Sequence, residues 1–132
     1  MPGSRRLGRC LGSVTLRNNY EVYEAANIPS TFILRQYSKS QVFEELVSGK
    51  NVEMMYKLLK GRIVTIDEVM MEIEQNPVPG LSFYSYQEWK RRYEIQDILI
   101  VLCVLGLASV EKQGRGFIYW VRAGLSEKVT NK

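Results

Sequence analysis

Tyr86-Gln87-Glu88-Trp89-Lys90-Arg91-Arg92-Tyr93 sets three consecutive cations among aromatic rings. Two guanidinium forks and an ammonium can reach phosphates and base edges. Tyr86, Trp89 and Tyr93 offer faces that stack on bases or anchor a protein partner. A second group of cations follows: Lys112, then Arg115 between Gly114 and Gly116, then Arg122. An arginine at the tip of a tight turn can lie over a neighbouring phosphate backbone, or can simply be the soluble residue in good turn chemistry. Lys90, Arg91 and Arg92 have an equally plain alternative, a solvated helix front balanced by Glu88 and Glu94 at helical spacing. Gly114-Arg115-Gly116 is no phosphate cradle, because neither a helix nor a lysine follows it.

Catalysis finds little to work with. The chain has no histidine, so imidazole acid–base pairs and histidine metal ligands are excluded. Cys10 and Cys103 cannot form a Cys-x-x-Cys site. The carboxylates fall mostly on the polar sides of helical patterns. No catalytic residue, metal, cofactor or small-molecule substrate is expected, and the chain reads as a binding protein rather than an enzyme.

At 132 residues the chain suits one domain with one core. Its longest apolar run, Ile98 to Ala108, is too short for a bilayer, so no membrane partner is expected. The absence of an apolar leader points to a reducing intracellular setting, nuclear or cytoplasmic. The first 20 residues hold Arg5, Arg6, Arg9 and Arg17 and no acid, which also fits a mitochondrial presequence or a basic arm along a phosphate backbone. The net charge of +4 is unevenly spread. Residues 41–121 carry nine basic and eleven acidic groups, so the excess lies in the flanks.

Local signals then predict the elements that must hold these residues. Asn18-Asn19 between two alternating runs is compatible with a hairpin, and Thr31 to Arg35 reads as a strand. Ser38-Lys39-Ser40-Gln41 opens a predicted helix with Val42, Phe43, Leu46 and Val47 on one face, stopped by Gly49. Asn51 caps the next helix, Arg62-Ile63-Val64 is a short strand, and Thr65 to Glu68 is a capping box for a third helix. Ser85 to Glu88 is a second capping box, opening a long helix that Gly106 ends. Two strands around Gly114-Arg115-Gly116 close the chain. On the long helix one stripe runs Ile95, Ile98, Leu99, Leu102 and Leu105. The opposite stripe runs Tyr86, Lys90, Tyr93, Asp97, Ile100 and Val104, so its back half is apolar all round and needs cover from residues 1–50 or from another chain.

Asp97-Ile98 leading into Leu99 to Leu107, then Val110-Glu111-Lys112 and Ile118-Tyr119-Trp120, resembles the third helix and wing of the E-two-F/DP cell-cycle transcription factors. In that family the Asp-Ile pair follows paired arginines that read guanines. Here those positions hold Tyr93 and Glu94, and Arg91-Arg92 stands two residues earlier, about 200° away around the helix. The resemblance implies an α+β, mainly α fold: a winged helix-turn-helix with a three-stranded wing sheet and an N-terminal extension. The expected organisation is a basic arm with a hairpin over 1–37, a winged-helix domain with one extra helix over 38–122, and a tail over 123–132.

Two functions fit. In the first the chain binds double-stranded DNA in transcription or replication control. Tyr86, Gln87, Lys90, Arg91, Arg92 and Tyr93 would enter the major groove, with Lys112, Arg115 and Arg122 on phosphates. In the second it is an assembly module, or a homo- or heterodimer, whose partner covers Trp89, Tyr93, Ile100 and Val104.

Overall fold

The computed structural model describes residues 6–81 and 87–123. Four strands come first, β1 (Leu7–Thr15), β2 (Asn19–Ala25), β3 (Thr31–Tyr37) and β4 (Val42–Ser48). They form an antiparallel meander in the order β1-β2-β3-β4. Helix α1 (Gly49–Leu59), strand β5 (Ile63–Val64) and helices α2 (Ile66–Gln75) and α3 (Glu88–Val104) follow. Strands β6 (Ala108–Gln113) and β7 (Gly116–Val121) then join β5 in a second antiparallel sheet, order β5-β7-β6.

The mainly helical fold class is therefore overturned. Of the described residues 39% are in strands and 34% in helices; the expected hairpin at Asn18-Asn19 is present as β1–β2, but the rest of the expected arm and the extra helix are further strands of one four-stranded sheet. The boundary expected between residues 37 and 38 falls in the β3–β4 turn, where the Ser38 backbone N–H donates to the Gln41 carbonyl. The helix expected from Val42 is instead β4. Its apolar residues come as two doublets, Val42-Phe43 and Leu46-Val47, which satisfy a period of 3.6 or of 2. Pairing with β3 from Tyr37↔Val42 to Thr31↔Ser48 decides between them. Gly49, expected as a stop, begins α1, and Ser48 rather than Asn51 is its cap, accepting from the backbone of Lys50 and Asn51. A side chain at Gly49 would meet the Ser30 carbonyl at 2.7 Å, so the β4–α1 junction needs glycine for close approach.

Other boundaries follow their local chemistry. Thr65 and Glu68 form the reciprocal capping box, with the Thr65 N–H donating to Glu68 Oε1 at 2.9 Å and the Glu68 N–H to Thr65 Oγ1 at 3.2 Å. Gly114 takes φ +62° in the two-residue turn joining β6 to β7, as the first position of a type II′ turn requires. The capping box expected from Ser85 lies outside the described residues, and Gln87 is the N-cap of α3 without a side-chain cap bond.

Helix α3 is the centre of the molecule. Ile95 and every residue from Ile98 to Leu102 are fully buried. Helices α1 and α2 pack on one side of α3 and the four-stranded sheet on the other. That sheet presents Tyr20, Val22, Leu34 and Val47 to the core. Strand β1 comes close enough that a Cβ on Gly12, at φ +148°, would lie 3.2 Å from Val104 Cγ1. The outer face of the sheet is polar: Tyr23 and Tyr37 hydroxyls both donate to Glu21 at 2.7 Å, and Arg35 Nε donates to Glu44 at 2.6 Å. Among the described residues no helix is long and apolar enough to cross a membrane.

Candidate functional site

The folded sheet changes which of the sequence candidates can act. Ile100 is completely buried and Val104 is half-buried against β1. Their cover is the chain's own N-terminal sheet, which removes Ile100 from any docking surface and leaves Val104 only partly accessible. Asp97, on the same stripe, is buried too. The face of α3 expected to lie in a major groove is thus covered from Asp97 onward, and only its first two turns reach solvent.

Those first two turns hold most of the remaining candidates. Gln87 is exposed, and its Oε1 accepts from the Trp89 indole N–H at 2.8 Å. Trp89 and Tyr93 are 59% and 61% exposed and meet edge to face with ring centroids 6.3 Å apart. Arg91 turns inward to Glu74 at 2.8 Å, while Arg92 pairs with Asp67 at the start of α2. Both arginines therefore brace α3 against α2, the stabilising alternative to base readout. Lys90 is exposed, and Tyr86 lies outside the described residues.

The hairpin cations are not brought to one place: Lys112 and Arg115 lie at the β6–β7 tip and Arg122 beyond the opposite end of β7. Lys112, Arg115 and Arg122 are exposed. Arg122 continues past β7, with its backbone N–H on the Leu107 carbonyl at 2.9 Å. At the β6–β7 tip the structure adds a residue that sequence reasoning left in the arm. Arg17, in the β1–β2 turn, donates from Nη2 to the Arg115 carbonyl, 98 residues away in sequence. Its guanidinium lies over the Phe117 ring, 5.8 Å from the centroid, which is cation–π range.

Between the β1–β2 turn, the β6–β7 tip and the start of α3 opens a cleft of about 670 Å³. Arg17 and Asn18 from the β1–β2 turn, Asp67 and Arg92, Trp89 and Tyr93, and Gln113 and Phe117 are among the residues around it, and Tyr20, Gln36, Gln96, Asp97 and Tyr119 also line it. Gln96 Nε2 donates to the Tyr20 hydroxyl at 3.1 Å. The Tyr119 hydroxyl is wholly buried and has no hydrogen-bond partner among the described residues. Burial pushes its ionisation well above the ordinary tyrosine range. Burial, followed by the negative fields of Glu94 and Glu45, pushes the Asp97 carboxyl up from 3.8 to about 8. Near neutral pH it is therefore mainly the uncharged acid, able to donate as well as accept.

Of the lining residues only Trp89, Arg92 and Tyr93 were sequence candidates; Arg17, Tyr20, Gln96, Asp97 and Tyr119 were not. Asp97 alone left a trace, as the one charge on an otherwise apolar stretch of its stripe. The others are brought together only by tertiary packing. A second cavity, about 880 Å³, lies between the β2–β3 turn, α1 and the end of α3, and holds none of the candidate residues. Neither a protein-family model, a curated protein nor a solved structure matches this chain.

Proposed function

We propose that this chain binds nucleic acid at the cleft between its two hairpin turns and the start of α3, taking unpaired strand rather than inserting α3 into a major groove. One observation carries the reading. Arg17 lines the cleft and reaches the Arg115 carbonyl at the β6–β7 tip, and exposed Trp89 and Tyr93 share the same lining. Cations that follow a phosphate backbone beside rings that stack on bases are the working parts of single-strand binding. Burial of Asp97 and Ile100 under the sheet argues against the major-groove mode, since a reading helix needs one free face along its length.

Fluorescence anisotropy with labelled single strands and duplexes of equal length, across a salt series, tests the reading. Single strands should bind more tightly than duplexes. Log affinity should fall linearly with log salt, by about 0.7 per phosphate contact, and Arg115→Ala should flatten the slope by about that amount. Equal or tighter duplex binding, or no salt response, would refute it.

A second reading, protein assembly, is favoured by a different observation. Strand β4 is an open edge of its sheet, with Val42, Phe43 and Leu46 exposed. An edge of this kind accepts an added strand from a partner.

A further inference from the structure

Buried carboxyls are normally paired, because an unpartnered polar group away from water costs free energy. Asp97 is 9% exposed, lines the cleft, and makes no hydrogen bond or ion pair with any described residue. The charged and titratable groups around it do not supply one. Glu94 on its own helix and Glu45 on β4 are both acidic, and Tyr20 on β2 is engaged with Gln96. This leaves a largely buried carboxyl in the lining of the cleft with no protein partner among the described residues.

The edge of a nucleobase is the matching chemistry. Adenine and cytosine each present a ring-nitrogen acceptor beside an amino donor, and a carboxylic acid answers both at once. Trp89 and Tyr93 in the lining supply the stacking faces, and Arg17 in the same lining is a cation for the attached phosphate. A cleft of about 670 Å³ has room for one base with its sugar.

We propose that the cleft is a subsite for a single nucleobase, with the carboxyl of Asp97 in direct hydrogen-bonding contact with the base edge and Trp89 or Tyr93 stacked on its face. It rests on the nucleic-acid reading above and goes further by assigning one residue to base contact. The base can belong to a strand or to a free nucleotide, and the two are separable by experiment.

The test uses the full chain and labelled oligo-dA and oligo-dC, whose bases do not titrate between pH 6.5 and 9, at fixed ionic strength. Wild-type affinity should fall about tenfold over that range as Asp97 ionises, since one pH unit beyond a pKa leaves about a tenth of the acid. Asp97→Asn keeps the shape and both hydrogen-bonding functions, so it should bind with similar affinity at pH 6.5 and lose the pH response. Asp97→Ala should bind weakly at both pH values and keep the salt slope. Free dAMP should compete if the isolated nucleotide is accommodated, whereas competition only by oligomers identifies strand as the source; either outcome agrees with a base subsite.

A pH-independent wild type, an Asp97→Asn variant that keeps the pH response, or an Asp97→Ala variant with wild-type affinity would each overturn the subsite. In those cases a surviving salt slope would leave the broader reading standing. Failure of every oligonucleotide to bind at low salt, with a stable protein partner recovered instead, would overturn both.

Discussion

Replacing Asp97 by asparagine should stabilise this protein, and by more at high pH than at low. Folding carries the carboxyl from solvent, with a pKa of 3.8, to a buried position where it ionises at about 8. The folded pKa is raised, so between these values the native state holds a proton that the unfolded chain has released. Stability must then fall as pH rises, by about 1.4 kcal/mol per unit, and level off above pH 8. Over the whole interval the cost approaches ~6 kcal/mol, a large share of the margin of a domain this size. Asparagine has no proton to lose, so it escapes the cost while filling the same space. Urea melts of both proteins at pH 5, 7 and 9 read the difference directly. The gap in unfolding free energy should widen by several kcal/mol from pH 5 to 9, and Glu94, raised by its own burial, cancels between the two proteins. A gap that stays constant, or a wild type that gains stability with pH, would mean that Asp97 is ionised in the native state and that its burial is compensated by water or a bound cation.

Ile100→Ala should cost about 2–5 kcal/mol in the same melts, because the side chain fills the seam between α3 and the sheet; a loss below about 1 kcal/mol would place it at an open surface. Arg92→Ala, by contrast, should leave oligonucleotide affinity and its salt slope nearly unchanged, since the guanidinium is committed to Asp67; a flattened slope would make it a phosphate contact.

Where a local rule governed, the sequence was readable. The box at Thr65 and Glu68, the strand at Ile63-Val64, the turn at Gly114 and the end of α3 before Gly106 each depend on a few neighbouring residues. In the first 48 residues the hairpin at Asn18-Asn19 and the strand from Thr31 were readable in the same way, and the segment from Val42 failed for the opposite reason. Val42-Phe43 and Leu46-Val47 carry no period of their own, and only cross-strand pairing with β3 makes them a strand. The same holds at the cleft. Arg91 and Arg92 stood out by composition, yet acids on α2 engage both, while Arg17 looked like part of a basic arm until packing set it against Phe117. The all-round apolar back half of α3 did demand a cover, but not which chain would provide it.

The placement of that cover has a consequence for how the chain is made. Its four strands are neighbours in sequence and can pair as soon as they leave the ribosome, since each needs only a short turn to find the next. Their inner face, with Tyr20, Val22, Leu34 and Val47, stays bare until α3 has been synthesised. For that interval the nascent chain presents an apolar sheet with two open edges, the surface most prone to pair with another copy. Slow translation across residues 49–104 would lengthen the exposure. Aggregation during expression, more than the stability of the finished fold, should therefore respond to charges placed on β4.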